Sequence, residues 1–257
     1  MPVMLEQQDG VARVTLDQPK KLNAVNNAMW DQLGTIFADL DADESLRCVI
    51  ITGTGDRAFS VGADISEFEQ NRSSVEKARE YAELTHGALA TLLGIRHPVI
   101  AAINGLCVGG GLELAACCDV RIAAARARFG IPVKRLGLVV ALQELRPLVE
   151  LVGPANAMEI LLEGEVFGAE RAHDMGLINR IVADHQFDAE IEASAARICE
   201  GAPLVARWHK KFTRRLLRPE PLSAEELDES FACFGTEDFR TGYKAFLAKE
   251  KPTFEGR

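Results

Sequence analysis

Between Pro98 and Asp119 the chain reads PVIAAINGLCVGGGLELAACCD, and ahead of the closing aspartate a single residue, Glu113, carries a charge. Val99 to Ile103 is a short apolar run behind a proline, the pattern of a strand covered on both faces. Leu112 to Cys118 is apolar almost all round, the pattern of a helix inside a protein. Three glycines, Gly109, Gly110 and Gly111, stand where that helix should begin. A helix start leaves backbone N–H groups unpaired at the positive end of the dipole, and glycine lets another molecule approach them closely. Such a junction suits an anion or a developing negative charge. With Gly110 in the first turn, Glu113 lies three residues on and projects from the same face, so a backbone donor and a carboxylate converge. Two plainer readings compete. The triplet can mark close helix packing, with Glu113 only a dipole partner. A dinucleotide-binding loop fares worse, because Leu114 stands where G-x-G-x-x-G needs a glycine.

The length of 257 residues is enough for one large domain with a real core. A net charge of -9 argues against nucleic acid or an anionic membrane as the main partner, so a phosphorylated ligand needs local basic groups. Six cysteines occur without a C-x-x-C pair, a reduced, cytoplasmic type of usage rather than a disulfide framework or a zinc site. The five histidines show no metal-ligand spacing, so no metal is expected. The N-terminal residues lack the basic and apolar regions of a signal peptide, and no run is long enough for a membrane span.

Along the chain, Val3 to Gln8 and Val11 to Leu16 flank Asp9-Gly10, a hairpin signal. A polar loop with Lys20 and Lys21 leads to an amphipathic helix from about Asn26 to Leu40. Cys48 to Gly53 reads as a buried strand, followed by a second glycine-bearing loop, Ala58 to Ile65, and a helical segment from Ser73 to Gly94. Val120 to Ala124 reads as another strand and Phe129-Gly-Ile-Pro-Val133 as a loop or edge element. From Val139 onward strands nearly vanish. Helices are expected over Leu142–Leu151, Pro154–Leu162, Ala169–Met175, Phe187–Cys199, Pro203–Leu217, Ser223–Phe234 and Asp238–Lys249. The expected class is α/β, alternating first and helical last.

Six stretches in order carry a family resemblance: Pro19-Lys-Lys-Leu-Asn-Ala24, Phe59-Ser-Val-Gly-Ala-Asp-Ile65, Pro98 to Asp119, Phe129-Gly-Ile-Pro132, Ala172-His-Asp-Met-Gly-Leu-Ile178 and Ala245 to Phe254. Together they resemble the crotonase superfamily, the enoyl-CoA hydratase/isomerase family of acyl-CoA enzymes. The resemblance implies a spiral of β-β-α repeats over residues 1–200 and a C-terminal helical region, 201–257, that builds a homotrimer or a hexamer of two trimers. It also implies an oxyanion hole for a thioester enolate. Matching loop to loop, its donors are the N–H groups of Ala63 and Gly110, each typically worth about 2.7–4 kcal/mol. Substrate contacts are implied from Lys20, Lys21, Leu22 and Ala24 in the first loop and from Gly62, Asp64 and Ile65 in the second. Gly109, Val133 and Val140 are implied around the acyl group, and Phe246 and Lys249 near coenzyme A, which is part of the substrate rather than a cofactor. A plainer reading has Asp64 capping a short helix.

Hydratases of this family use two glutamates. The first matches Glu113; where the second should follow the proline of Phe-Gly-x-Pro, this chain has Val133, which moves no proton. The downstream loop departs too, with Leu138 to Pro147 in place of a glycine-rich turn, so a bulkier and more apolar acyl end is expected near Val133 and Val139 to Leu142. Gln143 or Glu144 could bring a polar group there; the plainer expectation for Glu144 is an exposed first-turn carboxylate, and for Arg135 a solvated cation. Three functions remain open. One is a lyase or isomerase with Glu113 as the single acid/base, its pKa raised by burial. The others are a non-catalytic acyl-CoA binding protein and a sibling reaction, thioester hydrolysis or decarboxylation.

Overall fold

The computed structural model describes residues 2–257. Strands β1 (Val3–Gln8) and β2 (Val11–Leu16) form the expected hairpin. Asp9 and Gly10 at its tip both take positive φ, 52° and 77°, the mirror-image turn that matches strand twist. Helix α1 (Asn27–Ala42) starts where the Asn26 side chain accepts the Met29 N–H and buries Met29, Trp30, Leu33, Phe37 and Leu40 on one face. Three β-β-α units follow. The first is β3 (Cys48–Gly53), β4 (Ala58–Ser60), α2 (Phe68–Arg72) and α3 (Val75–Gly94). The second is β5 (Val99–Ile103), β6 (Leu106–Val108) and α4 (Gly110–Ala116). The third is β7 (Val120–Ala124), β8 (Arg128–Gly130) and α5 (Leu142–Glu163). The chain continues through β9 (Phe167–Gly168), α6 (Ala169–Asp174), β10 (Arg180–Val182), α7 (Phe187–Cys199), α8 (Pro203–Leu216), α9 (Ala224–Glu229) and α10 (Glu237–Ala248).

Each unit sends its first strand to one sheet and its second to another. The larger sheet runs β1-β2-β3-β5-β7-β10 and is parallel from β2 onward; the smaller runs β4-β6-β8-β9 and is parallel through β8. This is the crotonase spiral. The first strands are apolar throughout because both their faces are covered. Val49, Ile51, Val99, Ala101 and Ile103 face the main core with α1 and α3, while Cys48, Ile50, Ile100, Ala102 and Ile122 face α7 through Phe187, Ile191 and Ala195.

Several elements differ from the expected ones: Ala58–Ser60, read as part of a loop, is strand β4, and the short strands β9 and β10 lie in the stretch where only helices were expected. Phe129-Gly130 is not a loop or an edge but part of β8, an inner strand between β6 and β9, with Pro132 falling just after it where no ladder bond is lost. The two helices expected over 142–162 run on from one another, broken at Gly153, whose φ of 71° and ψ of 167° end the first before Pro154 opens the second. The helix expected over 223–234 stops at Glu229 and is followed by a tight turn, Ala232–Gly235.

Candidate active site

Because β4, β6 and β8 are parallel, their C-terminal ends point the same way, and the chain leaving each one forms a wall of a single cavity. The first wall is fixed by backbone bonds: Val25 N–H donates to Gly62 O at 2.8 Å, Asp64 N–H to Val25 O at 3.1 Å and Val61 N–H to Leu22 O at 3.2 Å. Those bonds skip Ala63 N–H. On the second wall Gly110 opens α4, so its N–H has no acceptor within the helix. The two walls touch through glycine. Gly62 has φ 86°, and a Cβ there would lie 2.5 Å from Gly110 N; a Cβ on Gly111 would lie 2.3 Å from Ser60 O. The close-packing reading of the triplet is therefore right for Gly111, while Gly110 borders open space. A Cβ placed on Gly110 would stand 3.6 Å from Ala63 N and 3.6 Å from Glu113 Oε2, so a donor and the carboxylate reach one spot.

The cavity, about 140 Å³, is apolar at Val61, Leu89, Val108, Val133, Leu136, Leu138 and Val140 and polar at a few points. Glu113 is not the lone carboxylate that its neighbours Leu112, Leu114 and Ala115 suggested. Glu144, at the start of α5, lines the same cavity with 17% of its side chain exposed, which corrects its reading as an exposed first-turn carboxylate. One of its oxygens does accept a first-turn N–H, from Ala141 at 3.1 Å, while the other lies 3.3 Å from His86 Nε2. Burial pushes Glu113 up to about 8, the charge on Glu144 adds to that, and Arg72 opposes it. The helix dipole expected to hold Glu113 down is a smaller effect than burial.

Gly109, Ile65, Val133 and Val140 line the cavity with Ala63, Gly110 and Glu113, and Val139 stands at its rim. Asp64 is turned away from it. Its carboxylate accepts from Ser66 N at 3.1 Å and pairs with Lys21 Nζ at 2.5 Å, and the Lys21 bond holds its pKa below the usual carboxylate range. Asp64 thus caps the turn Ile65–Glu67 and braces the first loop against the second. Leu22 has a left-handed φ of 53° and Ala24 is buried beside that brace, while Lys20 is exposed. Gln143 and Leu142 are exposed and stay outside the cavity, and Arg135 pairs at the surface with Glu165 at 3.5 Å, as a solvated cation. Phe246 and Lys249, on and just after α10, are exposed in the single chain and take no part in the cavity.

Residues 6–257 match the sequence model of the enoyl-CoA hydratase/isomerase family. The chain belongs to the enoyl-CoA hydratase/isomerase family. It is 35% identical over 254 residues to a crotonyl-CoA hydratase of Syntrophomonas wolfei, covering 98% of this chain and 97% of that one. It is 33% identical over 251 residues to a short-chain-enoyl-CoA hydratase of Clostridium acetobutylicum, covering 97% and 95%. Its fold superposes with a TM-score of 0.99 on an enoyl-CoA hydratase/carnithine racemase from Magnetospirillum magneticum, at 45% identity over 100% of this chain and 96% of that one.

As a member of this family the chain has a cavity with groups that its sequence motifs did not mark: Trp30 from α1, Arg72 from α2, Tyr81, Thr85 and Leu89 from α3, and Glu144 from α5. Trp30 and Leu89 lie on helices whose apolar patterning carried no sign of an opening beside them. Glu144 alone had a usable signal, an unexplained carboxylate within the departing loop. Among the described residues no helix is long and apolar enough to cross a membrane.

Proposed function

We propose that this chain is an acyl-CoA enzyme that forms and protonates a thioester enolate, with the N–H groups of Ala63 and Gly110 holding the thioester oxygen and Glu113 moving the proton. The observation that carries this reading is that Ala63 N and Glu113 Oε2 lie 3.6 Å from one point beside Gly110, and that all three residues line the cavity. Ionised Glu113 takes a proton from the carbon next to the thioester carbonyl; the C–H electrons pass into the enolate, and the negative charge settles on the oxygen between the two donors. Return of the proton to the same carbon reverses the step, and return to the γ-carbon of an unsaturated chain shifts its double bond. Two fixed donors in a mostly apolar cavity stabilise this charge with little reorganisation.

With Val133 in place of the second hydratase glutamate, water addition lacks one of its usual proton carriers, and Glu144 is the group positioned to serve instead. The relatives' names, crotonyl-CoA hydratase and short-chain-enoyl-CoA hydratase, support a short acyl substrate. So does the cavity: about 150 Å³ of apolar space holds a benzene-sized molecule, close to the 140 Å³ found here. Two carboxylates sharing a largely apolar cavity are costly to maintain without a use, which favours an enzyme over a passive binding protein. The exposed Phe231, Phe234, Tyr243 and Phe246 around α10 support assembly into trimers, which would bring Phe246 and Lys249 towards coenzyme A bound by a neighbouring subunit.

The test is solvent exchange. Incubated in deuterium oxide, butyryl-CoA should gain one or two deuterons next to its carbonyl, read by mass spectrometry, and Glu113→Gln should slow the exchange by at least about a hundredfold. A glutamine variant that exchanges as fast as the parent refutes the role of Glu113. A panel of enoyl-, hydroxyacyl- and malonyl-type thioesters, read by gain or loss of water, carbon dioxide or free coenzyme A, then assigns the reaction.

A further inference from the structure

Arg72 is the cation of the cavity, and it has no anion. Its guanidinium carbon lies over two aromatic rings, 4.5 Å from the centre of Phe68 and 4.3 Å from the centre of Tyr81. Among the described residues no carboxylate forms an ion pair with it, and its Nε is buried without a hydrogen-bond acceptor. Trp30, from the same cavity lining, keeps its Nε1 buried beside the Tyr81 hydroxyl. Tyr81, whose hydroxyl is influenced by both Arg72 and Trp30, brings a third polar group to the cluster. Buried arginine is ordinarily paired, and each buried donor left without an acceptor destabilises the fold.

The acidic groups nearby do not answer this need. Glu113 keeps its proton at neutral pH, because burial and Glu144 push it up to about 8. Glu144 turns one oxygen to Ala141 N–H and the other to His86. Arg72 therefore brings to the lining of the space that an acyl group would enter a positive charge that no carboxylate among the described residues pairs with.

We infer that the acyl group of the substrate ends in a carboxylate, received by Arg72 with Trp30 Nε1 beside it. The inference rests on the acyl-CoA reading above and names its substrate class, the monothioester of a short dicarboxylic acid. A planar carboxylate matches the forked N–H edge of a guanidinium. The two ring contacts disfavour an acyl chain ending in a quaternary ammonium, since the ring faces that would bind such a group are already taken by Arg72.

Saturated thioesters matched in length measure this without turnover: glutaryl-CoA against pentanoyl-CoA, adipyl-CoA against hexanoyl-CoA, and γ-butyrobetainyl-CoA as the cationic counterpart, each titrated by calorimetry at low salt. The carboxylate-ended member of a pair should bind roughly 10- to 100-fold tighter, the worth of a charge-assisted hydrogen bond. Arg72→Met should bring the ratio within each pair to about one, Arg72→Lys should keep part of it, and Trp30→Phe should reduce it. The lysine and phenylalanine variants keep the test decisive if the methionine variant does not fold. Equal binding within each pair by the parent, preference for the cationic chain, or a ratio unmoved by Arg72→Met each overturn the inference while leaving the acyl-CoA reading standing. Absence of binding to every thioester overturns both.

Discussion

At the scale of single residues, the carboxylate of Glu113 links chemistry to stability. Its folded pKa of about 8 lies above the ordinary 4.5, so between those pH values the folded chain holds a proton that the unfolded chain has released. The stability it contributes is complete below about pH 4.5 and is lost as pH rises through 8, at up to about 1.4 kcal/mol per pH unit. Glu113→Gln should therefore flatten the decline of denaturant stability between pH 5 and 8 and leave the variant more stable than the parent at pH 8; urea titrations across that range measure it. The proposed exchange reaction needs the ionised form, so its rate should climb with pH and level off above about 8. Glu144→Gln removes a charge that raises Glu113, and the climb should shift to lower pH. A profile that stays in place in that variant would mean the two carboxylates do not sense each other.

At the scale of elements, α4 ends where Asp119 ties it to the helical region. Asp119 pairs with Lys210 Nζ at 2.7 Å and with Arg214 at 2.8 Å, both on α8, and accepts the Val99 N–H that opens β5 at 2.8 Å. Lys210 is 8% exposed, and burial already lowers its pKa against the pull of Asp119. Asp119→Ala strands that ammonium and should lower stability by about 3 kcal/mol. Removing Glu150 from its exposed pair with Arg146 should cost no more than about 0.5 kcal/mol. Thermal unfolding of the two variants side by side checks the ranking. Elements of this kind differ in how far the amino-acid order betrays them. Cys48 to Gly53 and Val99 to Ile103 were readable because a strand buried on both faces is apolar throughout. Phe129-Gly130 was not, since three residues become a strand only by lying between β6 and β9, which pattern alone does not bring together. Gly110 and Glu113 were readable from the glycine triplet at the start of an apolar helix, whereas Ala63 was placed only through the family resemblance. Trp30, Arg72 and Tyr81 were not, because they meet only when α1, α2 and α3 pack, and Glu144 misled because its first-turn bond to Ala141 is real but uses just one of its oxygens.

At the scale of the whole molecule, the two halves of the chain differ in how much of their apolar surface they cover. The spiral buries all its phenylalanines but the half-buried Phe68 and Phe167, whereas Phe246 and Leu247 of α10 are 82% and 76% exposed, with Phe231 and Phe234 close behind. A monomer seldom leaves so many large apolar groups together in water. Light scattering at micromolar concentration should give three or six times the chain mass of 28.0 kDa, and a mass equal to that of one chain would refute the proposed assembly. Removing residues 237–257 should leave smaller particles with weaker binding of coenzyme A thioesters, read by the same scattering and by calorimetry.

The contacts of Gly62 with Gly110 and of Gly111 with Ser60 also govern how such a chain can change over generations. Two walls of the cavity are welded at backbone distance, so an alteration in either must be matched at once in the other. The third wall, after β8, is tied to the second at its base by the Gly109 N–H bond to Gly130 O at 2.9 Å, and beyond that bond Val133 to Glu144 present side chains to the cavity. Novelty is therefore cheapest from Val133 to Glu144, where a lineage can try new substrates or new proton carriers while its oldest chemistry is left undisturbed.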